Sequence, residues 1–315
     1  MESQESKSIS GIIVCHKITG MTSMDVIRIV RRLTGVKKVG HGGTLDPIAS
    51  GVLPLFIGQA TRVTEYILNS SKEYSAVIQL GEETDTYDRE GTVIKRHDYS
   101  SVSRELFDNA VSEYLGSISQ KPPMYSALKV GGTRLYKLAR AGIEVEREYR
   151  KVCISSITVT DWHPPFVTLH IKCGRGVYVR SLVHDIGQTL SCGAHVRELT
   201  RMSVGDFTLR DALVIDNAHQ PLALNLWQRH LQPLDSVLLS IPACLVDHEQ
   251  ETLVKSGGSI DLGTNHPMTT ENHCRRIYNK QGYFIGLVKA WGRQPLWKPQ
   301  KVFETSEASP FAPNY

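Results

Sequence analysis

The sequence predicts an α+β protein: a large N-terminal domain of strands and helices, followed by a small β domain. Three observations carry this prediction. Residues 74–80 and 167–173 alternate apolar and polar positions, the signature of strands with one buried face. Residues 22–35 and the stretch after Arg180 instead repeat apolar side chains at helical spacing. Near the C-terminus, Arg275-Arg276-Ile277-Tyr278 and Tyr283-Phe284-Ile285-Gly286-Leu287-Val288 flank Asn279-Lys280-Gln281-Gly282, which reads as a hairpin and its turn.

Composition sets the class. The 315 residues are enough for one large domain and one small one. A hydrophobic content of 41% and a charged content of 22% are those of a soluble globular protein. No apolar run reaches the length of a bilayer span. The polar start Met1-Glu2-Ser3-Gln4-Glu5-Ser6-Lys7 lacks the apolar centre of a signal peptide. The six cysteines include no Cys-x-x-Cys pair, which indicates neither a zinc site nor a disulfide framework, and reduced thiols fit a cytoplasmic location.

Along the chain, residues 1–10 are expected to be a disordered lead and residues 11–15 a short strand. Thr22 or Ser23 can cap the first helix, whose apolar face is Val26, Ile29, Val30 and Leu33 and whose stop is Gly35. Beyond it lies Gly40-His41-Gly42-Gly43-Thr44-Leu45-Asp46-Pro47. The glycines allow close approach of backbone to a ligand and the proline fixes the exit, so this loop can hold the Asp46 carboxylate at the lip of a cleft. A turn in which Asp46 only caps the local backbone fits the same residues, and His41 reads equally as a loop histidine. Tyr74 shares its strand face with Ala76, Ile78 and Leu80, and either fills the core or presents its ring to a cleft. Asp88 reads locally as a turn acid before Gly91.

Residues 103–116 predict a second helix, with Ser103 as cap and Gly116 as stop. Charge then concentrates. Between residues 129 and 151, the bases Lys129, Arg134, Lys137, Arg140, Arg147, Arg150 and Lys151 face only Glu144, Glu146 and Glu148, a surplus equal to the +4 of the whole chain. A phosphate-binding surface needs such a concentration, because counterion release grows with each phosphate neutralised. The interleaved Tyr125, Tyr136 and Tyr149 can stack on bases or pack internally, and a solvated surface loop is the plain alternative. Arg180 follows Gly174-Arg175-Gly176-Val177-Tyr178-Val179, where a strand passes into a helix with Leu182, Val183, Ile186 and Leu190 on its apolar face. A guanidinium there is costly to desolvate without a carboxylate, and Asp46 is the acid that lacks a local cation. Residues 246–303 read as the small β domain, and residues 304–315 as a disordered tail.

Together these segments resemble the bacterial TruB-type tRNA pseudouridine synthases. The opening His16-Lys17-Ile18 departs from the family's Asp-Lys-Pro. The match is close in residues 40–47, in Ala49-Ser50-Gly51-Val52-Leu53-Pro54, and in Lys72-Glu73-Tyr74 with Leu80-Gly81 and Thr84-Asp85-Thr86-x-Asp88. It continues through Pro122-Pro123-Met124-Tyr125-Ser126-Ala127-Leu128-Lys129 and residues 174–180 to Cys192-Gly193-Ala194-His195-Val196-Arg197-x-Leu199-x-Arg201. The resemblance covers about residues 11–303. It implies a largely antiparallel mixed sheet in a catalytic domain at residues 11–245, a thumb-like basic insertion at about 122–151, and a PUA-like RNA-binding domain at 246–303.

The resemblance further implies isomerisation of uridine 55 in the T loop of tRNA to pseudouridine, by base flipping, glycosidic cleavage and C–C bond formation. Asp46 is implied as the catalytic aspartate and Arg180 as its partner, with Tyr74 stacked on the base and placed to help move a proton. His41 would fill the space left by the extruded base. Asp88, Tyr178 and Leu199 would surround the substrate, and Lys129, Arg134, Lys137 and Arg140 would hold the T arm. The reaction changes neither redox state nor atom count, so no cofactor is expected, and no metal or nucleotide motif is present. A monomer acting on tRNA, without membrane or metal, is the expectation. Two rivals remain. One is a guide-RNA-dependent pseudouridine synthase subunit, against which the insertion Lys129-Val130-Gly131-Gly132-Thr133-Arg134-Leu135-Tyr136 argues. The other is a non-catalytic RNA-binding or tRNA-folding protein, against which Asp46, Tyr74 and Arg180 together argue.

Overall fold

The computed structural model describes residues 9–215, 227–263, 274–291 and 296–313. Residues 1–8 of the expected disordered lead and residues 314 and 315 of the expected tail lie outside these.

The N-terminal domain is built on one mixed sheet. Its main path runs Leu213–Ile215, Gly11–Lys17, Ala49–Ile57, Ala194–Val204, Lys72–Leu80, Phe166–Cys173, Arg150–His163 and Gly116–Gln120. The neighbours are antiparallel except for the first pair and the pairing of Ala49–Ile57 with Ala194–Val204. That second parallel pair positions the site. It sets Leu199 opposite Ala49 and Arg201 opposite Gly51, so the loop before Ala49 arrives beside the strand that carries both residues. Gly51 has φ of +109°, and a Cβ there would collide with the Arg201 backbone, so only glycine permits this approach.

Burial follows the sequence periods. Lys72–Leu80 buries every second residue, Lys72, Tyr74, Ala76, Ile78 and Leu80. The central strands Gly11–Lys17 and Ala49–Ile57 are covered on both faces, because they lie between two cores. On one side, Val26 and Val30 of helix Ser23–Thr34, Phe107 of Arg104–Ser112, and Leu182 and Ile186 of Val179–Thr189 pack on the sheet. On the other, Ile12, Val14, Val52 and Phe56 meet Tyr278, Phe284, Leu287 and Phe303 of the C-terminal domain.

The first helix ends as its residues dictate. Thr22 accepts from the Asp25 N–H, the Asp25 carboxylate accepts from the Thr22 N–H at 2.9 Å, and Gly35 closes the helix in the left-handed conformation. The second helix stops at Ser112, short of the expected Gly116, which instead begins the strand Gly116–Gln120 with φ of +81°.

The C-terminal sheet has the order Ala243–Val246, Cys274–Asn279, Phe284–Trp291, Leu296–Val302, Ile260–Asp261, and it contains the expected hairpin. It also carries a helix, His248–Lys255, capped by Asp247. The lead and the tail need correction. Ile9 packs on the core and Ser10 Oγ accepts from the Gln59 N–H at 3.1 Å, so both are ordered. Residues 304–313 are docked rather than disordered. Ser309 Oγ donates to Asp235 Oδ2 at 2.6 Å, the Ser309 N–H donates to Gly282 O at 2.9 Å, and Ala312 packs on the shared core. The cause is Asp235, which is 1% exposed and needs donors; the Tyr278 hydroxyl supplies another at 2.7 Å. Among the described residues, no helix is long and apolar enough to cross a membrane.

Candidate active site

The loop that carries Asp46 is fixed at each end by side chains from elsewhere in the fold. Thr22 takes the cap of the first helix, which frees Ser23 to bracket Leu45: Ser23 Oγ accepts from the Leu45 N–H at 2.9 Å and donates to its carbonyl at 3.1 Å. Lys17, fully buried, donates to Met21 O at 2.7 Å and reaches Pro47 O at 3.4 Å, while the Gly20 N–H donates to the same carbonyl at 2.8 Å. Arg201, 1% exposed, gives Nε to Val52 O at 2.7 Å and Nη2 to Gly43 O at 3.0 Å. The carboxylate is therefore presented by a rigid backbone, two-thirds covered and open toward a cleft.

Arg180 meets it there. Nη2 lies 2.8 Å from Asp46 Oδ2 and also donates to Tyr125 O at 2.8 Å. Nη1 donates to Thr86 O at 3.0 Å and to Asp88 Oδ2 at 3.2 Å. The guanidinium is 4% exposed, so its burial is compensated by two carboxylates and two carbonyls. Helix Val179–Thr189 has no side-chain cap. Instead Gln120 brackets its cap residue, accepting from the Tyr178 N–H at 2.8 Å and donating to the Tyr178 carbonyl at 3.1 Å, which sets where Arg180 begins.

The cleft encloses about 270 Å³ and is walled by Thr44, Asp46, Tyr74, Tyr178, Leu199 and Arg201, among others. That is at the small end for ligand pockets and suits a single planar ring. Burial pushes the Tyr74 and Tyr178 phenols above their ordinary range, so both are neutral donors at physiological pH. Lys72 also lines the cleft, and burial pulls its ammonium down to about 8. Lys72, Arg175, Arg180 and Arg201 outnumber the single carboxylate, so the walls suit an anionic ligand around one fixed negative charge.

The structure thus brings together Asp46, Tyr74, Arg180, Tyr178 and Leu199. Asp88 and His41 lie outside the cleft, as do the four bases of the insertion. Asp88 is 4% exposed and lies behind Arg180, held by the Thr86 hydroxyl at 2.7 Å and the Glu90 N–H at 3.1 Å, so it touches the guanidinium rather than the cleft. His41 does not line the cleft; its Nδ1 accepts from the Gly43 N–H at 3.3 Å. Burial and the nearby Arg201 charge push His41 down, and Arg134 of the insertion is close enough to add to this. The insertion forms a small hairpin, Lys129–Val130 with Thr133–Arg134, and a short helix, Leu135–Arg140, anchored by buried Leu135. Lys129, Arg134, Lys137 and Arg140 are all open to solvent on it, in whole or in part.

Sequence reading assigned no role to Arg201, Lys72 or Lys17. A signal existed for the first two: Arg201 is two residues from Leu199, and Lys72 two from Tyr74, so each is a cation on the inward face of its strand. Among the described residues, no group of three histidine, cysteine or acidic side chains is placed to hold a metal ion.

Residues 31–179 match the family described as TruB family pseudouridylate synthase (N terminal domain), and residues 180–245 match the tRNA pseudouridylate synthase B C-terminal domain. A relative from Clostridium perfringens, called tRNA pseudouridine synthase B, is 41% identical over 283 residues, which is 89% of this chain and 95% of that one. Another of that name, from Dehalococcoides mccartyi, is 38% identical over 96% of this chain and all of its own. The fold is similar to that of a chain in the solved Cbf5-Nop10-Gar1 complex, with a TM-score of 0.69 and 24% identity over 97% of this chain and 87% of that one. The chain belongs to the TruB family of pseudouridylate synthases.

Proposed function

We propose that this chain converts uridine 55 in the T loop of tRNA to pseudouridine, acting as a cytoplasmic monomer without a cofactor. The observation that carries this reading is the 2.8 Å pair of Arg180 with Asp46 at the wall of a cleft sized for one pyrimidine. In the reaction the C1′–N1 bond breaks, the uracil turns, and a C1′–C5 bond forms; C5 gives up its proton and N1 gains one. Atoms and electrons balance within the nucleotide. What the protein must supply is a negative group at the glycosidic centre, a ring clamp and a proton path. Asp46 is the negative group. Arg180 pairs with it at 2.8 Å and fixes its orientation in a site that water only partly reaches. Tyr74 stacks on the base and passes the proton, with Tyr178 and Leu199 closing the pocket around it.

A uridine inside a folded loop is out of reach, so it is flipped out first. Sequence-independent contacts to the T arm hold that state. Lys129, Arg134, Lys137 and Arg140 supply them from the insertion, with the PUA-like C-terminal domain adding to them and His41 filling the gap left in the loop. Asp88 serves the substrate indirectly, by orienting Arg180.

The test is tritium release from 5-tritiated uridine in a T-arm stem-loop, with the purified chain alone. The wild type is expected to release it. Asp46→Asn is expected to lose about a thousandfold or more in rate while binding the RNA as before. No release by the wild type would favour dependence on a guide RNA or a pure binding role. Release by the Asn variant would remove Asp46 from the chemistry.

A further inference from the structure

Glutamine is usually a surface residue, yet Gln120 is 2% exposed. It ends the edge strand Gly116–Gln120, whose four earlier residues are open to solvent in whole or in part. Its Cα partner across the ladder is Arg150, the first residue of Arg150–His163. The insertion therefore leaves the sheet at Gln120 and returns at Arg150, through one base. From that base the Gln120 amide crosses to the start of helix Val179–Thr189, where both its ends are used. Its Oε1 accepts from the Tyr178 N–H at 2.8 Å, and its Nε2 donates to Tyr178 O at 3.1 Å.

Two further bonds follow along the chain. Ser181 Oγ donates to Lys121 O at 2.8 Å, and Arg180 Nη2 donates to Tyr125 O at 2.8 Å. That same nitrogen lies 2.8 Å from Asp46 Oδ2. Between these points Pro122 and Pro123 are buried, and their rings fix φ. Residues 120–126 are thus a stiff strap along the first turn of the helix that carries Arg180. On its other side the strap holds the insertion. The Tyr136 N–H donates to Ser126 O at 3.1 Å, the Leu135 N–H to Leu128 O at 2.8 Å, and Arg147 Nη1 to Pro122 O at 3.1 Å. An unbroken run of hydrogen bonds and stiff backbone therefore joins the basic helix Leu135–Arg140 to the guanidinium that holds Asp46, and such a run can carry coupling between two sites.

We propose that Gln120 is a positioning residue, fastening the base of the insertion to the helix of Arg180, so that RNA phosphates gripped by the insertion set the alignment of Arg180 with Asp46. The proposal rests on the reading of the chain as a T-arm-modifying enzyme for its activity test alone; the link itself is tested without RNA.

Gln120→Met keeps the length of the side chain and loses both bonds to Tyr178. In the tritium assay it is expected to lower kcat about five- to tenfold with KM within about twofold, because alignment is lost and grip is kept. Replacing the bases by Arg134→Gln, Lys137→Gln and Arg140→Gln is expected to lower kcat in the wild-type background and to lower it no further beside Gln120→Met. An unchanged kcat, a change in KM alone, or effects that multiply would overturn the proposal. Where Gln120→Met does not fold, Ser181→Ala, which removes one hydroxyl from the same junction, decides by the same signature. In the RNA-free protein either variant is expected to speed hydrogen exchange at the Leu135 and Tyr136 amides of the insertion, and unchanged exchange there would overturn the link. A wild type that releases no tritium would instead refute the functional reading, leaving the exchange measurement to judge this one.

Discussion

Asp46 and Asp88 share one guanidinium but play opposite parts. Arg180 is 4% exposed, Asp88 is nearly as buried, and Asp46 is open to the cleft. Asp46→Asn leaves Arg180 with Asp88, Thr86 O and Tyr125 O, so its unfolding free energy is expected to fall by less than about 1 kcal/mol. Asp88→Asn removes the buried counter-charge and is expected to cost about 2–4 kcal/mol. Urea unfolding of the two variants checks this; equal losses would mean that the carboxylates are equivalent to the fold. A second contrast concerns Asp185, on the same helix, whose carboxyl is pushed up to about 6 by burial. Its folded pKa lies above its unfolded one, so the folded state binds the extra proton between about pH 4 and 6, and stability falls as pH rises through that window. Asp185→Asn is therefore expected to stabilise by about 1–2 kcal/mol at pH 7.5, after allowance for its partial exposure, and to change little at pH 3.5. Unfolding curves at the two pH values measure it. At this scale the Asp46–Arg180 pair was legible in the sequence, because an acid in a glycine loop and an arginine at an apolar junction each lacked a partner. Lys17 was not, because it binds carbonyls, and every residue has one; Lys72 and Arg201 offered only their inward strand positions, and their partners are carbonyls too.

Local rules give elements their limits, and long-range pairing gives them their places. The Gly35 stop and the alternation in residues 74–80 are local and read correctly from the chain, and the cap falls on Thr22, one of the two local candidates. The parallel seat of Ala194–Val204 beside Ala49–Ile57 joins residues about 150 apart, and no local pattern encodes it. The same holds for Gln120, whose side chain brackets the cap residue of a helix about 60 residues on. The insertion is the element with the weakest internal support: one buried leucine, a two-residue ladder and solvated bases. Such a segment depends little on its surface side chains, so Arg134→Gln, Lys137→Gln and Arg140→Gln together should leave the melting curve within error. Under the proposed function their effect falls on RNA. Every phosphate left without its cation reduces the slope of log K against log salt by about 0.7–0.9, so the triple variant is expected to bind a T-arm stem-loop more weakly and with a slope smaller by about 2–3. Titrations at several salt concentrations measure it, and an unchanged slope would mean that these cations do not meet phosphates.

The whole molecule is closed by residues whose composition suggested the reverse. Residues 304–313 are short and polar, and a composition of that kind predicts disorder. What orders them is a buried acid on the other side of the domain junction. Asp235 is reached by Ser309 from the tail and by Tyr278 from the C-terminal sheet, and Tyr278 in turn accepts from Arg276 at 2.8 Å. Beside this network, Phe303 stacks on Phe284 at 5.5 Å and lies under the Arg62 guanidinium of the N-terminal domain at 4.7 Å. Arg62 also donates to Val302 O, and Lys301 pairs with Glu65 at 2.8 Å. The two sheets therefore share one core and one polar clasp, and they should unfold as a unit. Removing residues 304–315 deprives Asp235 of a donor while leaving its charge buried, which is expected to lower the unfolding free energy by about 2–3 kcal/mol in a single transition. Ser309→Ala, which removes only the donor, should account for about half or more of that loss. Urea unfolding followed by tryptophan fluorescence and by circular dichroism gives both quantities. Coincident curves shifted to lower urea are the expected result. An unshifted midpoint would mean that the tail only rests on the surface, and separate midpoints would mean that the C-terminal domain holds itself together without the catalytic sheet.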